Sequence, residues 1–83
     1  MEQSELSKAF VIVLKRYQKQ RKLTNYALAQ LAGIHQTYIG LLESGERNPM
    51  MDTANKIAKA LNVPLSKMLA EAEKLLKEPL KSR

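Results

Sequence analysis

A run of uncharged polar residues stands out because its side chains carry hydrogen-bonding groups and follow one another directly: Gln36, Thr37 and Tyr38. The amide of a glutamine offers a donor and an acceptor at the spacing of adenine N6 and N7 in the major groove. A short helix that begins at Gln36 places these groups at its N-terminal end, the part of a helix that enters such a groove. Groups of these types at a helix start are able to reach base edges in a major groove, and ordinary solvated positions of a helix are the alternative.

Two short helices must position this run, and the sequence marks where each begins and ends. Thr24 is a suitable N-cap for a helix over residues 25–32, and Gly33 suits the left-handed conformation that ends a helix. A second helix is predicted over residues 36–44. A tight turn between such helices sets them at a steep angle, so the second can project while the first supports it. The spacing thus predicts a helix-turn-helix over about residues 24–45.

The rest of the chain is also predicted to be helical, which makes the fold class all-α. No stretch alternates apolar and polar residues regularly enough for a strand, and glycine and proline occur only three times each. We expect a single compact domain of five short helices over residues 1–83. The helices are predicted at about 5–20, 25–32, 36–44, 51–61 and 65–77. Apolar residues at helical spacing predict an inner face at Phe10, Leu14, Tyr17, Leu28, Leu31, Ile39, Leu42, Ala54, Ile57, Ala58 and Leu61.

Length and composition exclude several classes of protein. A chain of 83 residues is near the lower size limit for a self-sufficient core, so a two-domain enzyme does not fit. The sequence has no cysteine and one histidine, His35, so neither a disulfide nor a multi-histidine metal site is expected. Glu43 has no second carboxylate and Ser44 no His–Asp pair to work with, so we expect no enzymatic activity and no cofactor. The longest apolar run, residues 9–14, is too short to span a membrane, which leaves a cytoplasmic location by default.

The net charge of +6 and the sequence pI of about 9.8 favour a polyanionic partner such as nucleic acid. The charge is unevenly distributed, since residues 1–23 carry +4 whereas residues 35–50 carry −1. We therefore expect the first helix to attract the DNA backbone and the uncharged groups at 36–38 to supply specificity. Two interpretations of the basic side chains stay open here, phosphate contacts or a solvated face, and they concern Lys15, Arg16, Lys19, Arg21 and Lys22.

Residues 24–49 resemble the helix-turn-helix of the phage repressor, Cro and XRE family, and the resemblance extends over about residues 10–69. Within that family, residues 35–40 and 46–48 are most similar to restriction-modification controller proteins. The resemblance implies a sequence-specific transcription regulator that binds a pseudo-palindromic operator as a homodimer. The residues that carry the resemblance are Leu28-Ala29, Leu31-Ala32-Gly33, Ile39, Glu43, Gly45, Arg47-Asn48-Pro49 and residues 57–63.

The family pattern also implies roles for individual residues. Gln36 and Thr37 would contact base edges and Tyr38 a base or a phosphate, with packing on the second helix as the alternative for Tyr38. Leu41 stands where relatives often have polar or basic groups, and it would contact a thymine methyl group or be only partly buried. The start of the second helix and the loop after the third would contact phosphates, because exposed N–H groups at a helix start favour an anion. The full set of implied DNA-contacting residues is Thr24, Asn25, His35, Gln36, Thr37, Tyr38, Leu41, Arg47 and Asn48.

Two departures from the family pattern bear on this site. The family usually has glutamine where this sequence has Asn25, which shortens or removes one expected phosphate contact. It often has arginine where this sequence has Gln18, paired with the glutamate that is Glu43 here. We expect Gln18 to hydrogen-bond Glu43 without neutralising its charge.

Apolar residues beyond the needs of the core predict a partner surface. Ile12 cannot share the core face with Phe10, and the last helix carries more leucines than the core requires. A homodimer that uses residues 65–83 explains this surplus, and a tail folded back over the first helix is the alternative. The alternative function is an antitoxin-like or adaptor module that uses the same surface on a protein partner. The predicted dimer interface is Ile12, Leu75, Leu76 and Leu80, with Val13 as a further surplus residue.

Overall fold

The computed structural model describes residues 2–77, and within that range the chain forms five helices and no strand. This result confirms the all-α prediction, and each helix begins where the sequence predicted it. None of the helices in the described range combines the length and apolar character needed to cross a membrane. In chain order the helices are α1 (Glu5–Gln20), α2 (Asn25–Ala32), α3 (Gln36–Glu43), α4 (Met51–Ala60) and α5 (Leu65–Lys77).

Local chemistry explains most of the helix ends. The hydroxyl of Ser4 accepts a hydrogen bond from Ser7 N to cap α1, and that of Thr24 accepts one from Ala27 N to cap α2. Gly33 ends α2 with a left-handed φ of 71°. The start of α4 differs, because Met50 stands at its N-cap and supplies no side-chain hydrogen bond. Ser, Thr, Asp or Asn at an N-cap satisfies a backbone donor that Met leaves open.

The core lies between α1, which packs along α5, and α2, which packs against both α3 and α4. Two predictions about it were wrong. Leu31 is 62% exposed, because α2 packs through Leu28, Ala29 and Ala32 and Leu31 lies roughly 100° from the centre of that stripe. Val13 is fully buried and does not belong to the apolar surplus, since it lies three residues after Phe10 on the same helix face. The other residues of the predicted inner face are buried, or half-buried in the case of Tyr17.

A polar contact joins α1 to α5 beside this core. The Tyr17 hydroxyl donates a hydrogen bond to Glu71 Oε2 at 2.7 Å, and the Arg21 guanidinium lies 5.0 Å from the centre of the Tyr17 ring. The hydrogen bond to the Glu71 carboxylate, with some help from burial, raises the pKa of Tyr17 above its ordinary value. Arg21 Nε also donates to the carbonyl of Leu61 at 2.6 Å, at the end of α4. Together these contacts hold the C-terminal end of α1 against α4 and α5.

Gly33 and Gly40 allow the effect of backbone strain on stability to be measured separately from the effect of space for a side chain. Gly40→Ala should raise the free energy of unfolding by about 0.5–1 kcal/mol, because Gly40 is helical and an added Cβ would meet no atom within 4 Å. Gly33→Ala should lower it by about 1–2 kcal/mol, because the space is equally open but the left-handed φ strains an L-residue. Urea unfolding followed by circular dichroism measures both changes. Changes of the same sign in the two variants would contradict this account.

Candidate nucleic-acid interface

The first turn of α3 presents two polar side chains to solvent. Gln36 and Thr37 are exposed, and neither side chain has a hydrogen-bond partner within residues 2–77. His35 stands at the N-cap, where its Nδ1 accepts a hydrogen bond from Thr37 N at 3.2 Å. The backbone of this turn is therefore held in place while the amide of Gln36 and the hydroxyl of Thr37 remain available to a ligand.

The exposed face of α3 and the start of α2 share one shallow, open surface depression. Glu46 lies at its far end, where its carboxylate accepts a hydrogen bond from Ser44 Oγ at 2.8 Å. An acidic group there repels phosphate, so a polyanion should approach the opposite end of the surface, near the N-terminus of α3. Leu41 is half-buried, and Gly40 adds no side chain. The residues that line the depression are Asn25, Gln36, Thr37, Gly40, Leu41, Ser44 and Glu46.

Tyr38 faces away from Gln36 and supports the loop that follows α3. Its ring is half-buried against the core, and its hydroxyl donates to the carbonyl of Asn48 at 3.4 Å, a long hydrogen bond. The sequence left packing on α2 as the alternative to DNA contact for this residue. The hydroxyl contacts the loop after α3, which neither alternative named.

The N-terminal segment holds the same loop, a role that the sequence analysis missed. Gln3, which is 7% exposed, donates through Nε2 to the carbonyl of Leu42 at 3.0 Å and to that of Arg47 at 2.7 Å. The backbone N–H of Ser4 donates to Asn48 Oδ1 at 2.9 Å. The side-chain oxygen of Asn48 is thus used inside the protein, whereas the side chain of Arg47 is exposed and makes no polar contact with residues 2–77. No local pattern could reveal contacts between residues more than 38 positions apart.

Asn25, at the start of α2, is the centre of a polar cluster. Its Nδ2 donates to Glu43 Oε1 at 2.9 Å, at the end of α3. Its Oδ1 accepts from Gln18 Nε2 at 2.8 Å and from Lys15 Nζ at 3.1 Å, both on α1. The cluster therefore joins α1, α2 and α3, the three helices that form the predicted interface.

The predicted hydrogen bond between Gln18 and Glu43 does not form, because Asn25 lies between the two side chains. Lys15 forms an ion pair with Glu43. The hydrogen bond from Lys15, supported by the one from Asn25, lowers the pKa of the Glu43 carboxyl although partial burial opposes the shift. The sequence left two interpretations of Lys15 open, a phosphate contact or part of a solvated face, and neither of them named Glu43 as its partner. Its position one turn before Gln18 was the signal that could have identified it.

A second open depression adjoins the start of α2 and is basic. Lys15, Lys19 and Lys22 line it together with Thr24. Lys22 has a left-handed φ of 55°, so the link between α1 and α2 turns sharply at this point. The Thr24 hydroxyl accepts the cap hydrogen bond and keeps its own O–H donor, so a phosphate at this end would meet this hydroxyl, backbone N–H groups and lysines. The uncharged first turn of α3 is thus accompanied by a basic margin at the start of α2.

Besides Tyr26 and Leu31 on α2, exposed apolar side chains lie at the predicted dimer residues and around a groove. Of the predicted dimer residues, Ile12 is 49% exposed, Leu76 is 38% exposed and Leu75 is half-buried against the core, while Leu80 lies outside the described residues. An apolar groove lies elsewhere, between the starts of α1, α4 and α5, and the sequence analysis did not identify it. Its rim includes Met51 at 81% exposure, and Met50 beside it is 68% exposed. The groove is lined by Leu6, Ser7, Phe10, Pro49, Met51, Ala54, Leu65 and Leu69.

Comparison with known proteins adds independent findings. A helix-turn-helix family model matches residues 14–68. Control protein C.SmaI from Serratia marcescens is 39% identical over 56 residues, which cover 68% of this chain and 67% of that protein. The immunity repressor protein of Bacillus phage phi105 is 35% identical over 65 residues, 78% of this chain but 44% of the repressor's length. The crystal structure of the restriction-modification controller protein C.AhdI from Aeromonas hydrophila matches with a TM-score of 0.69 and 30% identity, over 76% of this chain and 94% of that one.

The cap of α3 can be tested through His35. His35→Ala should lower the free energy of unfolding by about 1 kcal/mol, because Thr37 N loses its acceptor. His35→Asn is the matched control, since asparagine is a favoured N-cap and should keep the stability at or above that of the original chain. Thermal unfolding of the three proteins measures the difference. Equal losses in both variants would mean that the imidazole stabilises the turn in another way.

Proposed function

Because the chain belongs to the helix-turn-helix family of DNA-binding transcription regulators, we propose that it binds a pseudo-palindromic operator as a homodimer. The observation that carries the proposal is the first turn of α3, where Gln36 and Thr37 are exposed without internal partners beside the start of α2. A projecting helix start with such groups fits the major groove.

The proposed contacts divide into base contacts and backbone contacts. Gln36 reads an adenine through its amide, Thr37 contacts the adjacent base, and Leu41 contacts a thymine methyl group. Thr24, Asn25 and His35 lie nearest the phosphates on the α2 side, where backbone N–H groups and the basic margin favour an anion. On the far side the loop contacts the backbone through Arg47 and Asn48, with Tyr38 supporting it.

The charged residues that attract DNA and the uncharged residues that read its sequence lie in different parts of the proposed interface. The turn that meets the bases contains no charged residue, and the basic groups lie on α1 and in the link to α2. Each phosphate that these groups neutralise contributes about −0.9 to the slope of log K against log salt concentration. Affinity for any DNA therefore depends on salt, whereas preference for one sequence depends on Gln36 and its neighbours.

Selection from random double-stranded oligonucleotides tests the function. The original chain should enrich a palindromic motif, and Gln36→Ala should lose preference at one base pair of each half-site at a cost of about 1–3 kcal/mol on the selected site. Lys22→Ala is the control, because loss of a phosphate contact weakens binding to all sequences alike and flattens the salt slope. Absence of enrichment by the original chain would favour the adaptor hypothesis. A uniform loss in Gln36→Ala would mean that Gln36 reads no base.

The dimensions of the molecule support a dimer that spans adjacent half-sites. The described residues extend 38 × 28 × 21 Å. Two copies in contact side by side along one of the longer axes have centres about as far apart as one DNA turn, roughly 34–36 Å. A two-fold axis between such copies relates the two α3 helices as the halves of a palindrome are related.

Of the two apolar patches, the groove between α1, α4 and α5 is the better surface for a second copy. All of its lining residues are uncharged, so two grooves can meet without repulsion. Ile12, in contrast, has Lys8, Lys15 and Arg16 one turn before or after it on α1. Lys8 pairs with Glu5 and Lys15 with Glu43, so self-association there brings Arg16 and these ion pairs together in a chain of net charge +6. The groove also begins directly after the α3–α4 loop, at Pro49, which places it beside the DNA-facing side. We therefore place the dimer axis at the groove, with Leu75 and Leu76 covering α1 from within the same chain.

Sedimentation of two matched variants tests this choice. Met51→Glu should shift the protein from dimer to monomer at micromolar concentration, because an unpaired carboxylate would be buried in the interface. Ile12→Glu should leave the dimer intact, since Ile12 stays outside it. The opposite result would assign the interface to Ile12 and Leu76, and a monomeric original chain at high micromolar concentration would exclude the dimer.

The remaining parts of the proposal concern the whole chain. The similarity to transcription regulators supports a binding protein without enzymatic activity that acts in the cytoplasm. We propose that residues 1–83 act as one domain, with the helix-turn-helix at about 24–45 and residues 65–83 adding to its stability or association. Regulation by a further protein partner is compatible with the exposed apolar surface that a dimer leaves free.

A further inference from the structure

We propose that Lys15 is a positioning residue for DNA binding, which sets the orientation of α3 relative to α2 by neutralising Glu43 and holding Asn25 and makes no phosphate contact of its own. The proposal rests on the proposed function, since it concerns how the same interface is held. It gives Lys15 a role different from those of Lys19 and Lys22, although all three line one basic depression.

The geometry gives Lys15 two acceptors on two different helices. Its ammonium forms an ion pair with Glu43 at the end of α3 and donates to Asn25 Oδ1, at the start of α2, at 3.1 Å. Asn25 in turn donates to Glu43 at 2.9 Å, which closes a ring of three side chains. Rotation of α3 against α2 must break at least one side of this ring.

Electrostatics explain why a cation is needed at this point. The Glu43 side chain is 34% exposed and lies at the end of α3, where the C-terminal end of the helix dipole is already negative. Without Lys15, its carboxylate would repel that helix end, and the hydrogen bond from Asn25 to Glu43 alone would join α2 to α3 in this cluster. Gln18 and Asn25 donate hydrogen bonds in this cluster but carry no charge, so only Lys15 among its members can neutralise the carboxylate.

The same contacts argue against a phosphate role for Lys15. Two of its three donors are occupied, and its charge is compensated by Glu43. A neutral pair releases few counterions when DNA binds, so it adds little to the salt slope. Lys19 is exposed on the same helix, and its side chain makes no polar contact with the described residues, which makes it the matched comparison.

Salt titration of DNA binding separates positioning from direct contact. Lys15→Met keeps the aliphatic stem and should weaken binding to the selected operator about tenfold, with little change on random DNA and an unchanged salt slope. Lys19→Met removes the same charge from the same helix and should weaken binding to operator and random DNA alike. Lys15→Arg should restore operator affinity to within about twofold, because an arginine can reach both acceptors.

A second variant keeps the test valid if Lys15→Met unfolds. Lys15→Met combined with Glu43→Gln removes the unpaired charge while an amide oxygen still accepts from Asn25, and it should recover most of the lost operator affinity. A flatter salt slope in Lys15→Met with equal losses on all DNA would overturn the proposal, as would unchanged operator affinity or a double variant no better than the single one. If the original chain selects no site, the proposed function itself is wrong. The results that would overturn only the role of Lys15 differ from this one, because in them the original chain still selects an operator.

Discussion

An eight-residue helix is too short to be stable in water by itself, and α3 depends on contacts with its surroundings for both its existence and its direction. Only Ile39 and Leu42 on α3 are buried in the core. These two side chains lie on one stripe of the helix, and Tyr38 packs half-buried beside them. The polar groups at its two ends therefore complete the constraint: the cap at His35 and the ring at Glu43.

The rest of the interface is arranged around this short helix. The N-terminal segment binds the carbonyl of Leu42 and the loop after it through Gln3, so the exit from α3 is held as well as its entry. The segment before α1 and α1 itself both act on this exit, since Gln3 binds Leu42 and Lys15 pairs with Glu43, the last residue of α3. A mutation in α1 can thus change the direction of α3 without touching a base, which is how contacts made elsewhere can alter sequence preference.

The separation of charge from base contacts has a physical benefit. A cation on α3 itself would bind phosphates of any sequence, whereas uncharged amide and hydroxyl groups gain little free energy unless a matching base edge faces them. In the proposed binding mode, the basic groups near the start of α2 supply the attraction common to all DNA, and Glu46 at the end of α3 opposes it there. We propose that this asymmetry orients the approaching backbone along α3.

The sequence by itself determined the features that depend on near neighbours in the chain. The caps at Thr24 and Gly33, the periodic core residues Phe10 and Leu28, and hence all five helices follow from interactions within one or two helical turns. The exposed start of α3 was predictable for the same reason, because a helix start needs no distant partner to present Gln36 to solvent.

Only the tertiary structure decided which distant groups meet. Leu31 lies outside the packed stripe of α2, Lys15 instead of Gln18 carries the charge beside Glu43, and Gln3 holds a loop more than 38 residues away. The apolar groove at Met51 is likewise built by α1 together with α4 and α5, which are both far from α1 in sequence. Helical periodicity gives the face of each helix to within about one residue, or roughly 100°, whereas a hydrogen bond or ion pair requires donor and acceptor within a few ångströms. That precision arises only when the packing of all the helices is known.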